Sequence, residues 1–337
     1  MNSKRFGTLN GQDVTLYTLN NGILSCDVTD YGATITSLRV RDRNNAVRDI
    51  VLGYDTLEEY VSGNSFFGAT IGRYSNRISG GTFSIDGKEY HVTQNENGNT
   101  LHSGSHGFDR SVWTTESATT HSVTLVHVDP DGNDGFPGAV TARLTVTLID
   151  NSIIFEYAAI TDAPTHISLT NHSYFNLNGA GGNDITDHIF SVSSDGYTEV
   201  DESNIPTGRI VPVAGTFFDL RNETLLSERL AEYPGRDFDI NYVLQRTVRP
   251  TNACSAHSRE TGIRMTLSTT EPGVQFYSGA YINGVSGKSG SVYGKHAGFC
   301  FEPQHYPDTP NRPSFPSTLI RPNEHYSQKS VLEFSTV

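Results

Sequence analysis

The way this chain turns restricts its fold more than any other feature. Short runs rich in Val, Ile, Thr, Tyr and Phe are joined again and again by Asn, Asp and Gly. Val14–Leu19 and Ile23–Val28 flank Asn20-Asn21-Gly22, and Ala139–Leu148 and Ile153–Ala159 flank Asp150-Asn151. Phe83–Ile85 and Tyr90–Val92 flank Asp86-Gly87, a pair suited to the two positive-φ positions of a tight hairpin. Ser122–Val128, His166–Phe175, Ile263–Thr269, Val274–Tyr281 and Gly298–Gln304 read as further strands, since β-branched and aromatic residues fit a pleated, half-buried surface. Helical spacing is scarce. Thr56-Leu57-Glu58-Glu59 fits a capping box that opens one short helix, and Leu225–Ala231 suits a second. Strands do not alternate with helices, which argues against a parallel α/β sheet. The pattern, with 32 glycines, predicts an all-β chain folded as a large antiparallel β-sandwich. Residues 250–260 are polar and predict a surface loop. No linker or solenoid repeat interrupts the 337 residues, so 1–337 reads as one domain.

Charge and cysteine usage narrow the function. A net charge of -13, from 24 Lys+Arg and 37 Asp+Glu, argues against a binder of nucleic-acid backbones or of anionic membranes. The three cysteines, Cys26, Cys254 and Cys300, form no CxxC pair, and unpaired thiols suit a reducing compartment. No apolar run reaches the length of a membrane helix, and Met-Asn-Ser-Lys-Arg-Phe-Gly leads into no apolar signal core. The expectation is a cytoplasmic protein. Nothing implies a protein partner or sets an oligomeric state.

Several motifs fail on inspection. Gly287-Lys288-Ser289 looks like the tail of a phosphate loop, but Ile282 stands where that loop needs glycine. No GxGxxG follows a strand, no GxSxG elbow exists, and the twelve histidines form no HExxH. His102 and His106 are four apart in a Gly/Ser-rich loop, without the helical geometry that zinc pairs use. No metal and no cofactor is expected.

Three segments carry polar groups with little structural reason for them. Gly72–Ile78 sets Arg73, Asn76 and Arg77 among glycine and small residues, and planar Arg and Asn donors suit hydroxyl groups, though a charged surface turn would look alike. Leu169–Leu177 holds His172, which on a strand would share a face with Thr170 and Tyr174. A hydrogen-bonded core histidine is the plainer alternative. In Gly298–His305, alternation puts Phe299 and Phe301 on one face and Cys300 and Glu302 on the other. A Glu in so apolar a strand is ion-paired, hydrogen-bonded or protonated, and burial raises its pKa toward a useful general base.

Together these segments resemble the aldose 1-epimerase (galactose mutarotase) family over most of the chain. Gly72–Ile78 is similar to its GRYANRI, with Ser75 for alanine, and Leu101–Gly104 to its LHGG, with Ser103 for glycine. Leu169–Leu177 is similar to LTNHSYFNL without departure, and Asp237–Tyr242 to the FDHN segment, with Ile240 for histidine. Pro272–Tyr277 and Gly298–Gln304 complete the series. The resemblance implies a β-sandwich with a carbohydrate cleft on one sheet. It implies that Asn76, Arg77, His102, Asp239 and Gln275 bind sugar hydroxyls. It also implies that His172 is the acid at the ring oxygen and Glu302 the base at the anomeric hydroxyl, interconverting α and β anomers of a free hexose such as galactose or glucose. Each group must serve as acid and as base, for which pKa values moved apart near pH 7 would suit. Departures Ser103 and Ile240 lie beside site residues and would bear on sugar preference. Three alternatives stand beside this one. A hexose-6-phosphate 1-epimerase would need further basic residues, such as Arg73 or Arg221. A glycoside hydrolase would pair Glu302 with Asp239 across roughly 5–9.5 Å. A non-catalytic carbohydrate-binding protein would bind sugar without turnover.

Overall fold

A computed structural model describes residues 2–337. It is built of antiparallel strands with two short helices among the described residues. The hairpin signals hold: Gln12–Asn20 pairs with Ser25–Thr29, Thr82–Ile85 with Lys88–His91, and Val140–Ile149 with Ser152–Thr161. Asp86 and Gly87 take φ of 52° and 81°, as the tight turn demands. The helix Leu57–Ser62 has its capping box, with the Thr56 hydroxyl accepting from Glu59 N–H and the Glu59 carboxylate accepting from Thr56 N–H. The second helix is Leu226–Glu232.

A nine-stranded sheet forms the floor. Its spatial order is 114–118, 122–129, 140–149, 152–161, 326–336, 263–269, 251–258, 188–192 and 224–225. A five-stranded sheet, in the order 206–212, 196–200, 239–243, 273–277 and 300–304, lies over it. Another five-stranded sheet, formed by the strands between residues 2 and 49, adds Leu19, Val28 and Leu38 to the same core. Between the layers the aromatic rings interlock: Phe190 of the floor meets Phe276 at 5.0 Å, and Phe276 meets Phe301 at 5.1 Å. The result is the large antiparallel β-sandwich expected.

Three expectations need correction. Residues 250–260 are not a surface loop, because Thr251–Ser258 is an inner strand with Ala253–Ser258 buried. Its polar groups are met across the ladder, Ser255 Oγ by Ser191 Oγ at 2.9 Å and His257 Nδ1 by Arg264 Nη2 at 3.3 Å. His166–Phe175 is not one strand. Its strand segments are Thr165–His166 and Thr170–Asn171, with isolated bridges at Ser168 and Phe175, because the Asn171 carboxamide turns back onto Gly68 O and accepts from Ser173 N–H. Val274–Tyr281 ends at Tyr277, where the chain turns through Gly279 at φ 71°. Gly287-Lys288-Ser289 is a surface turn as read, with the Lys288 ammonium on Asp49 at 2.7 Å rather than over a phosphate site.

Candidate active site

Strand alternation builds the site. On Asp239–Val243, Gly273–Tyr277 and Cys300–Gln304, Ile240 stands opposite Phe276 and Phe276 opposite Phe301, and these point into the core. The residues between them point the other way. Asp239 stands opposite Tyr277 and Tyr277 opposite Cys300, and Asn241 opposite Gln275 and Gln275 opposite Glu302. One face of a three-strand ladder thus gathers, beside Tyr277 and Asn241, the Asp239 and Glu302 carboxylates, the Gln275 carboxamide and the Cys300 thiol. They line, or in the case of Cys300 lie behind, a cleft of about 670 Å³, within the usual range for small-molecule sites. A wider cleft of about 770 Å³ near Leu9, Arg110 and His127 has no such set and is remote from these strands.

The loops add the facing wall. Arg77–Ile78 pairs with Thr100–Leu101. That places Asn76 (φ 62°) beside His102 (φ 52°), both in a backbone region that Asn and His enter more readily than most side chains. Asn76 N–H donates to His102 Nδ1 at 3.1 Å, and His102 N–H to Asn76 O at 3.0 Å. Because Nδ1 accepts, neutral His102 carries its proton on Nε2 and offers a donor. Arg77 makes a two-pronged bond to Glu96, at 2.6 and 2.8 Å, and its Nη1 stands 4.0 Å from Asp239 Oδ2. Gln275 Nε2 donates to Asp239 Oδ1 at 2.7 Å.

His172 Nε2 lies 3.6 Å from Glu302 Oε2, with both side chains under a tenth exposed. That oxygen has no hydrogen-bond partner. His172 leaves the strand just before it, yet its ring still stacks on Tyr174 at 5.0 Å, as a shared face predicted. Burial pushes the Glu302 carboxyl well above the usual carboxylate range; the Asp239 carboxylate adds to this and Arg77 opposes it. Burial lowers His172 to about 4. Burial thus shifts the two groups in opposite directions, the carboxyl upward and the imidazole downward. Burial, then His172 and Arg77, also push His102 well below its ordinary value. Asp239 is raised by burial, against Arg77 and Gln275.

The seven residues singled out in the sequence all line this one cleft. Their neighbours divide. Arg73 is fully buried on the far side of its loop, where Nε meets Asp129 Oδ2 at 2.7 Å and Nη1 meets Pro137 O, so it holds no hydroxyl and no phosphate. Asp237 lies outside, between His296 and Lys295. Ser103 aims its hydroxyl at the backbone of Tyr74, and Ile240 is core, so neither departure touches the cleft. Sequence reasoning missed Glu96, Phe66 and Tyr281, which line the cleft from loops. The Asn97-Gly98 turn after Glu96 signals a hairpin but gives no hint that its carboxylate reaches Arg77. His106 is exposed and does not join His102. His102, His172 and Glu302 do bring three ligand-type atoms within 4.8 Å of one another. The Asn76 N–H on His102 Nδ1 keeps a proton on Nε2, which suits a hydroxyl acceptor better than a metal ion.

Fold and cleft define a β-sandwich protein equipped for proton transfer on a small polar ligand. Residues 15–333 match the profile of the family described as aldose 1-epimerase. Galactose mutarotase of Rattus norvegicus is 42% identical over 333 residues, covering 98% of this chain and 97% of its own length. Aldose 1-epimerase of Escherichia coli is 34% identical over 334 residues, covering 96% of each. A solved aldose epimerase homologue from C. elegans has a TM-score of 0.90 at 31% identity, covering 96% of this chain and 99% of that one. The chain belongs to the aldose 1-epimerase family.

Proposed function

We propose that the protein interconverts the α and β anomers of free hexoses such as galactose and glucose, with Glu302 and His172 as the reacting groups. The observation that carries this is the 3.6 Å approach of His172 Nε2 to an unpartnered Glu302 oxygen in a cleft lined by hydroxyl-binding groups. In this reading Glu302 takes the proton of the C1 hydroxyl while His172 gives one to the ring oxygen. Bond rotation and the reverse transfers then yield the other anomer. The pair holds one proton throughout, so each group can serve as acid and as base in a reaction run in both directions. Asn76, Arg77, His102, Asp239 and Gln275 hold the sugar. Only protons move, so the reaction needs neither cofactor nor metal.

The alternatives fare less well. The cleft's one guanidinium, Arg77, is already shared between Glu96 and Asp239, while Arg221 is spent on Asp219 and Asp195. That favours a neutral hexose over its 6-phosphate. Both Asp239 oxygens face donors, leaving no free second carboxylate for glycoside hydrolysis. Residues 1–337 act as one domain in this reading, because the strand 326–336 is paired with both 152–161 and 263–269. No helix among the described residues is long and apolar enough to cross a membrane. With the acidic charge and three free thiols, this supports a cytoplasmic protein of hexose metabolism without nucleic-acid or membrane partners.

Polarimetry with freshly dissolved α-galactose and α-glucose tests the proposal. Rotation should approach equilibrium faster than in buffer, in proportion to enzyme. Sugar binding with the rate left at its buffer value would reduce the protein to a carbohydrate-binding module. Release of monosaccharide from a disaccharide would make it a hydrolase.

A further inference from the structure

His172 is held from both ends of its ring. Nε2 looks into the cleft, toward Glu302. Nδ1 looks the other way, 3.5 Å from the sulfur of Cys300, which is wholly buried in a cluster with Tyr174 and Tyr277. The rings of Phe66 and Tyr174 both lie nearly parallel to the imidazole, tilted by 18° and 15°, and fix its plane. A nitrogen in so dry a place holds a proton only if something accepts it, because a buried donor left unpaired costs about 1–3 kcal/mol.

We propose that Cys300 is a positioning residue whose sulfur keeps Nδ1 of His172 protonated, so that Nε2 is the one nitrogen that exchanges a proton with the sugar. The proposal rests on the mutarotation reading of Glu302 and His172. In ring opening Nε2 first receives the pair's single proton from Glu302, and this Nε2–H bond then breaks as the proton goes to the ring oxygen. The electron pair of the breaking bond between C1 and that oxygen stays on the oxygen. Glu302 takes the C1 hydroxyl proton, and the electrons of that O–H bond complete the C1 carbonyl. Neutral His172 is then left with a proton on Nδ1 and a lone pair on Nε2, the form required to take the proton back on closure. With the other tautomer Nε2 would already be occupied, and the reverse step would be blocked.

Sulfur also explains why this partner is neutral. A carboxylate at the same place would hold Nδ1–H more firmly but would raise the basicity of Nε2. Sulfur is a weak acceptor, and it fixes the tautomer without making the imidazole a poorer acid toward a weakly basic ring oxygen. The thiol stays neutral here, raised by burial and by the Glu302 and Asp239 carboxylates around it.

The test is nitrogen NMR on histidine-labelled full-length protein, with the His172 signals assigned by their loss in His172→Asn. Wild type near neutral pH should show Nδ1 protonated and Nε2 bare. Cys300→Ala should move the ring toward the Nε2–H form that free histidine favours. It should also lower kcat by roughly three- to tenfold, the loss of about one hydrogen bond, with KM little changed. Cys300→Ser, which restores an acceptor, should recover the Nδ1–H form and most of kcat. A bare Nδ1 in wild type, or a Cys300→Ala protein that keeps the wild-type tautomer, would overturn the proposal. The wild-type spectrum decides it even if a variant fails to fold. Absence of mutarotation in wild type would sink the functional reading instead, and polarimetry reports that before any variant is made.

Discussion

Glu302 and Asp239 stand on one face of neighbouring strands yet differ in freedom. Asp239 spends one oxygen on Gln275 and turns the other to Arg77, whereas Glu302 keeps an oxygen unpartnered. Glu302→Gln should therefore lower kcat by about 10²-fold or more while sugar still binds, because an amide keeps the shape but accepts no proton near pH 7. His172→Asn should lower kcat by ~10²–10⁴ with a smaller change in sugar affinity, read by polarimetry against direct binding. Asp239→Asn should raise KM more than it lowers kcat. It should also mark the pH profile. Loss of the Glu302 charge on protonation removes the base, so activity falls as pH drops through its raised pKa. The Asp239 carboxylate helps to raise that pKa. Its removal should shift the acid limb of kcat/KM to lower pH. A limb that stays in place in Asp239→Asn would detach it from Glu302.

Strands carry information that loops do not, and this decides what could be read in advance. Period-two alternation placed Cys300 and Glu302 on the side away from Phe299 and Phe301, and the ladder keeps them there. The pattern failed where side chains replace backbone partners. Asn171 pulls the chain out of its ladder one residue before His172, and the polar residues of 251–258 are paired across an inner sheet rather than solvated. Arg73 and Arg77, four residues apart, looked equivalent; only the fold sends one inward to Asp129 and the other to the cleft. Arg73→Ala should thus destabilise the protein by about 3–5 kcal/mol, since it strands a buried carboxylate. The fall should appear as a lower urea midpoint, with KM unchanged at temperatures where the variant remains folded. Raised KM with intact stability would return Arg73 to sugar binding.

At the scale of the molecule, a reaction that moves only protons is expected to need no added part. Exhaustive chelation should leave both the melting temperature and the mutarotation rate unchanged. Activity lost to a chelator and restored by a metal would mean that His102, His172 and Glu302 are ligands after all. The floor of the sandwich depends instead on order of assembly. The strand 326–336 sits between 152–161 and 263–269, and its Tyr326, Leu332 and Phe334 are part of the core. A chain stopped before Tyr326 would leave two facing edges and an open core, and should be recovered as aggregate rather than as a weakened enzyme. During synthesis the same vacancy persists until the ribosome releases residues made after all their neighbours. The sheet that carries the cleft, complete in sequence by Gln304, has no finished floor to rest on until then. Closure of the core thus waits for a strand late in the sequence, and until it arrives the two edges it joins stay open to wrong pairing.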